Sequence, residues 1–203
     1  MNTPELEVEI LSEIPLSPST TVGPYRQTDY WNLPEEPRCE LLYGRFYLVT
    51  PPRPIHQIVG FVLLRWLDDV ALAHGGQALG APVGITLADH SVAEPDLIYL
   101  ARRATPEELR RAIVGLPDLL IEVISPSGVR RDRGLKLRLY AETGVPEYWI
   151  ADPFERQVDF MVNRGGRFEL VLPEGDLYRS PTLPEIVLDL AELWRQVDLR
   201  TAT

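Results

Sequence analysis

Glu122 stands inside Leu119-Leu120-Ile121-Glu122-Val123-Ile124, a run whose aliphatic content predicts a buried strand. Successive strand side chains point to opposite faces, so Glu122 shares its face with Leu120 and Ile124. A carboxylate so placed is costly unless it is paired or bound to a cation. Asp96 follows Glu94-Pro95 and opens a second apolar strand, residues 96–100. A strand-opening Asp is often only a turn residue. Beside Glu122 in one sheet, however, it would complete a pair of carboxylates suited to Mg2+, a hard cation that keeps several waters. Lys136 is the third residue of interest: among 20 basic residues it is the single lysine, the rest being arginine. Lysine is a compact point charge and arginine a planar fork, so a position needing only positive charge would have been served by arginine. Next to two metal-bound carboxylates, an ammonium would orient a water and stabilise charge developing on a phosphate. The plainer alternatives are a solvent-facing Glu122, a turn-forming Asp96 and a surface ion pair between Lys136 and Asp132.

These residues need elements to position them. Residues 130–142 read as a helix ended by Thr143-Gly144, which puts Asp132, Lys136 and Tyr140 at i, i+4 and i+8 on one face. Leu135 and Leu139 beside them should face the core, leaving Lys136 near the edge of the buried side with its amine able to reach inward. A hairpin is predicted around Gly44 within residues 38–49, and an amphipathic helix over 55–73 closed by His74-Gly75-Gly76. Thr28 to Trp31 caps a short helix. Strands are predicted at 77–79, 83–87 and 147–150, and a second hairpin at 157–162 and 167–172. Thr105-Pro106-Glu107-Glu108 resembles a capping box, predicting a helix to about residue 113. The tail, 186–197, mixes a short strand with a short helix. Interleaved strands and helices predict one mixed α/β domain over 28–203, preceded by an irregular, proline-bearing arm over 1–27.

Composition narrows the function classes. The chain of 203 residues is 45% hydrophobic and 25% charged, ordinary values for a globular protein. One cysteine, Cys39, excludes an internal disulfide framework and a four-cysteine zinc site. No apolar run reaches the ~18 residues of a membrane span, so no membrane partner is expected. Residues 1–7 are acidic and lack the basic-then-apolar pattern of a signal peptide, so a cytoplasmic location is expected. The net charge of −10 argues against a general nucleic-acid coat protein. Residues 101–140 nonetheless carry nine basic and five acidic side chains, a local surplus able to meet a phosphate backbone.

Four blocks follow one another in order: Glu94-Pro95-Asp96-Leu97; the run from Pro117-Asp118 through Glu122 to Ser125-Pro126-Ser127; Arg131-Asp132 with Lys136-Leu137 and Tyr140; and Gly144-Val145-Pro146-Glu147-Tyr148-Trp149-Ile150-Ala151-Asp152-Pro153. Together they resemble the Uma-type restriction endonuclease family of the PD-(D/E)xK nuclease superfamily. Glu40-Leu41-Leu42-Tyr43-Gly44 and Pro52 with His56-Gln57 match the family's early pattern, and the resemblance covers residues 28–195. It implies a restriction-endonuclease-like core, a mixed β-sheet flanked by helices with additional β-hairpins. It also implies Mg2+-dependent (or Mn2+-dependent) endonucleolytic hydrolysis of DNA. Asp96 and Glu122 match the superfamily's metal-binding acids. Its lysine usually follows the second acid by two residues, where this chain has Ile124. In this family the lysine has moved to the following helix, which falls on Lys136. Glu40 and His56 match positions with less defined roles, a further acid near the metal and a phosphate contact.

The Ile124 departure motivates a different reading, a noncatalytic nuclease-like module that binds nucleic acid or a protein partner. RNA stays open as a substrate. A homodimer or higher homo-oligomer is expected, because many nucleases cut two strands with paired subunits.

Overall fold

The computed structural model of the chain describes residues 10–11, 22–126 and 128–202. Most of the expected irregular arm, residues 1–9 and 12–21, lies outside the described residues. Ile10–Leu11 form strand β1, and Gln27–Tyr30 form the short helix α1. The first hairpin consists of β2 (Cys39–Leu42) and β3 (Arg45–Leu48). Tyr43 and Gly44 link them at φ of 51° and 72°, the double left-handed turn whose twist suits a two-residue hairpin. β1 corrects the reading of the arm as wholly irregular, since it pairs in parallel with β3.

Helix α2 spans Pro54–His74, with proline in its first turn and Gly75 at φ 76° ending it. Its apolar positions at 3–4 spacing bury Val59, Val62, Leu63 and Leu67. β4 (Gln77–Gly80), β5 (Ile85–Ala88), β6 (Ser91–Ala93) and β7 (Leu97–Leu100) follow. The capping box forms as its residues require: Glu108 N–H donates to Thr105 Oγ1 at 3.2 Å, and Thr105 N–H to Glu108 Oε2 at 2.7 Å. The helix expected to run to residue 113 does not form. Only a 3-10 turn, Glu108–Arg110, forms before Ile113–Val114 become β8, paired in parallel with β5. Burying Ile113 in the sheet-lined core outweighs continuing a helix that has little else to bury.

β9 (Leu119–Val123) and β10 (Glu147–Asp152) are parallel neighbours, joined by a helical crossover. The expected single α-helix there is a π-helix over Arg131–Lys136 running into α3 (Leu137–Thr143). β11 (Gln157–Asn163) and β12 (Phe168–Val171) form the second hairpin. β13 (Leu177–Arg179) and β14 (Val187–Asp189) make a separate ribbon, and α4 (Leu190–Thr201) follows, with Asp189 capping Glu192 N–H.

A six-stranded sheet, ordered β12-β11-β10-β9-β7-β4, forms the centre. Leu119, Ile121, Val123 and Trp149 on one face pack against α2, α4 and the β13–β14 ribbon. Leu120, Tyr148 and Ile150 on the other face pack against α3 and the second sheet, ordered β1-β3-β2-β6-β5-β8. The alternation along β9 thus decides which core each side chain enters. The result is the expected mixed α/β architecture, a mixed sheet flanked by helices with extra hairpins. Glu147, fully buried at the start of β10, fastens the ribbon to the sheet. It accepts from Trp149 Nε1 at 3.0 Å, Tyr178 Oη at 3.1 Å, Thr182 Oγ1 at 2.7 Å and the Ser180 hydroxyl. Among the described residues, no helix is long and apolar enough to cross a membrane.

Candidate active site

The pleat of β9 turns Glu122 to the same face as Leu120, as the alternation requires. β7 runs antiparallel to β9 with Leu97 opposite Ile121, so Asp96, one residue before β7, arrives beside Glu122. Asp96 Oδ2 accepts from Val123 N–H at 2.8 Å and lies 3.0 Å from His56 Nε2. The first turn of α2 supplies that histidine. Glu40 comes from β2 in the second sheet, and its Oε1 accepts from Glu94 N–H at 2.7 Å.

Lys136 closes the arrangement. Its Nζ lies 2.7 Å from Glu122 Oε1 and 2.7 Å from Glu40 Oε1. Tyr140 Oη donates to Glu122 Oε1 at 3.0 Å. Exposure is 1% for Glu40, 3% for Glu122, 4% for Asp132 and 2% for Lys136. Lys136 is therefore not at the edge of the buried side, and its ion pairs are with Glu40 and Glu122 rather than on the surface with Asp132. Its position follows from the π-helix, whose wider turn still leaves Asp132, Leu135 and Lys136 all buried. The contacts on Asp96 fall on Oδ2 and those on Glu122 fall on Oε1, so each carboxylate holds its second oxygen outside these bonds.

All five residues singled out from the sequence, Glu40, His56, Asp96, Glu122 and Lys136, line one cavity of about 240 Å3. Residues that sequence reasoning had not assigned to the site also line it: Arg38, Glu94, Arg131 and Asp132. Glu94 accepts from Tyr30 Oη at 2.7 Å and pairs with Arg38 Nη2 at 2.5 Å. The spacing of Asp132, Lys136 and Tyr140 was the available signal for Asp132 and Tyr140. Glu94 opens the Glu94-Pro95-Asp96-Leu97 block without a role of its own there, and nothing local marks Arg38.

Residues 25–191 match the model of the Uma2 family, described as "putative restriction endonuclease". The chain belongs to this family. The crystal structure of a "putative nuclease belonging to DUF820" from Anabaena variabilis ATCC 29413 superposes with a TM-score of 0.70 at 20% identity, covering 86% of this chain and 99% of that one. That likeness establishes the restriction-endonuclease-like fold. No curated protein matches the sequence. Membership of the Uma2 family points to nuclease activity in general.

The electrostatics of this Uma2 cavity bear on a metal. Five carboxylates (Glu40, Glu94, Asp96, Glu122, Asp132) face three permanent cations (Arg38, Arg131, Lys136). Burial pushes the Glu122 carboxyl well above its ordinary range; Lys136 opposes this, while Asp132, Asp96 and Glu40 add to it. Burial likewise brings Asp132 up to about 6, against the pull of Lys136 and Arg131. Burial alone would lower Lys136, yet Glu122, Glu40 and Asp132 outweigh it and raise it, so the amine stays an ammonium. The carboxylates of this cavity outnumber its permanent cations. Glu40 Oε2 and Asp132 Oδ1 are buried and accept no hydrogen bond. Unsatisfied hard oxygens in an under-neutralised cavity fit a divalent ion of the Mg2+ type. Among the described residues, no three His, Cys, Asp or Glu side chains are already grouped as a metal cage.

Proposed function

We propose that the protein is a Mg2+- or Mn2+-dependent endonuclease that hydrolyses phosphodiester bonds of DNA at this cavity. The observation that carries the reading is Lys136: the chain's single lysine is buried between Glu40 and Glu122, with Asp96 alongside. Asp96 and Glu122 are the residues that would hold the ion, through the oxygens their present contacts leave over. The ion supplies charge neutralisation at the phosphate and a more acidic water.

The chain's own groups do the rest. Lys136 presents a fixed ammonium that orients the attacking water and stabilises negative charge growing on the phosphate oxygens. Glu40 holds that amine from the side opposite Glu122. Tyr140 fixes one oxygen of Glu122, and His56 with Val123 N–H fixes one oxygen of Asp96, so neither acid is free to rotate. Ile124 occupies the superfamily's usual lysine position and is buried in the core beside Leu120. The displaced Lys136 reaches the same acid from the crossover helix.

The test is cleavage of duplex, nicked, branched and single-stranded DNA by purified protein with Mg2+ or Mn2+. Nicking or cutting that is abolished by EDTA, by Glu122→Gln and by Lys136→Met is the expected result. Inertness on all four substrates with both metals would overturn the reading. If neither metal binds in a calorimetric titration, the noncatalytic nuclease-like module takes its place. RNA belongs in the same panel as a competing substrate. The chain's net −10 predicts weak nonspecific DNA binding that falls steeply with salt. Pairing of two copies is part of the proposal for two-strand cutting, and light scattering at micromolar concentration reads it directly.

A further inference from the structure

Asp159 on β11 is 6% exposed, a buried acid that the proposed reaction does not use. The strand register places it. Ile150 of β10 lies opposite Glu122 of β9 on one side and opposite Asp159 of β11 on the other. Residues directly opposite share a face, so Glu122, Ile150 and Asp159 form one row on the side of the sheet that packs against α3. Two acids thus flank an isoleucine, two strand spacings apart, or roughly 9–10 Å.

The π-helix answers each acid with a cation. Lys136 Nζ lies 2.7 Å from Glu122 Oε1, and Arg133 Nη1 donates to Asp159 Oδ2. Gln157 Nε2 donates to the other oxygen, Oδ1, at 2.5 Å. In an α-helix, residues three apart lie on one face with Cβ atoms about 5–6 Å from each other. A π-helix closes i to i+5 and turns less per residue, so it spreads Arg133 and Lys136 toward two different strands. Tyr148 Oη, from β10, donates to the carbonyl of Asp132 at 3.1 Å and holds the same segment. A side chain bonding into the helical ladder is an ordinary cause of local distortion. β9, β10 and β11 therefore each grip this segment once. The Arg133 side chain is 37% exposed and that of Asp159 8%, so the acid depends on its partner more than a surface pair would. Neither residue lines the cavity.

We infer that Arg133 and Asp159 are positioning residues: their ion pair seats the π-helix across β10 so that the ammonium of Lys136 lands on Glu122. The inference rests on the proposed role of Lys136 in cleavage and adds what places that amine. Misplacing a group by about 1 Å costs on the order of 10²-fold in rate. A pair outside the cavity thus governs turnover through Lys136, without touching DNA.

The chain's single lysine makes position 136 directly observable. In the full chain, isotope-labelled at the lysine amine, nuclear magnetic resonance shows one ammonium signal, and its hydrogen exchange with water at fixed pH reads how firmly Lys136 is held. Arg133→Gln and Asp159→Asn each speed that exchange at least about tenfold, a local opening and not an unfolding of the chain. On DNA with Mg2+, both lower kcat by about 10–100-fold and move KM by less than about twofold. Arg133→Lys keeps the charge and recovers most of kcat. An Arg133 that instead touched DNA would give a raised KM in Arg133→Gln and an unaltered kcat in Asp159→Asn. That pattern, an unchanged lysine exchange, an unchanged kcat, or a loss confined to the melting temperature overturns the inference. So does a wild-type ammonium that exchanges as fast as free lysine. Arg133→Gln decides the matter if Asp159→Asn fails to fold, because Arg133 is partly exposed. A wild type inert on DNA overturns the nuclease reading alone, and the lysine signal still tests whether this pair places Lys136.

Discussion

Lys136 Nζ lies 2.7 Å from Glu122 Oε1, although 14 residues separate them and they belong to different elements. Glu122 is on a central strand, Lys136 on the π-helix that leaves it. Their meeting sets the charge state of the whole cavity, and Glu40 reaches the same amine from a second sheet at 2.7 Å.

Lys136→Met tests that arrangement. It leaves Glu40 and Glu122 buried with no ammonium between them, and breaking a buried pair in this way costs about 3–5 kcal/mol. Urea unfolding without metal should show a loss of that order, and Mg2+ should restore part of it. DNA cleavage should fall by roughly 10²–10⁴-fold, the usual range for losing a group that moves or positions a proton. Lys136→Arg should not rescue cleavage, because a planar fork does not fit the slot of a side chain 2% exposed.

Asp96→Asn separates metal binding from folding. The amide oxygen still accepts from Val123 N–H, so the junction of β7 and β9 survives. Calorimetric titration should show Mn2+ affinity weakened by more than about tenfold, with the melting temperature close to the wild type. Unaltered Mn2+ affinity would remove Asp96 from the ligand set.

The pH dependence of the metal-free protein follows from Asp132. Burial brings it up to about 6 in the folded chain, against an ordinary value near 4 in the unfolded one. Between those values the folded state holds a proton that the unfolded state has released. Stability therefore rises as pH falls through about 6 and levels off below about 4. Glu122 is shifted in the same direction. Differential scanning calorimetry should find a higher melting temperature near pH 5.5 than near pH 7.5. Asp132→Asn should reduce that difference, and excess Mg2+ should flatten it, since an ion takes the place of the proton.

Two buried glutamates give opposite outcomes. Glu147 is saturated by hydroxyl, phenol and indole donors; Glu147→Ala strands those donors and should cost about 3 kcal/mol or more. Mn2+ affinity should be unchanged. Glu122→Gln keeps an acceptor for Lys136 and Tyr140 and removes a charge the cavity neutralises incompletely. It should raise the melting temperature of the metal-free protein while abolishing cleavage, a stability–activity trade.

Local sequence made much of the fold readable. Both hairpins, the long helix α2 and strands β7, β9 and β10 are written in apolar periodicity and turn residues, signals that need no distant partner. The helix expected after Thr105 shows the limit. Its capping box forms, yet Ile113 finds a better place in the sheet-lined core, a choice made by chain segments far away. The π-helix was likewise unreadable. The i, i+4, i+8 face of Asp132, Lys136 and Tyr140 pointed the right way, but only packing on β9 and β10 decides how wide the turn is.

The sequence alone determined the chemistry available: a carboxylate inside an aliphatic strand, an acid at the start of another, and a solitary lysine among arginines. Residue types and short spacings suffice for that, because desolvation penalises a misplaced charge wherever the chain goes. The tertiary structure decided which charges meet. Glu40 joins Lys136 across two sheets, His56 joins Asp96 from the start of α2, and Arg131 stops short of both acids it faces. Those contacts link residues from different elements or depend on the turn of the crossover helix, so packing of sheets and helices sets them and no local pattern encodes them.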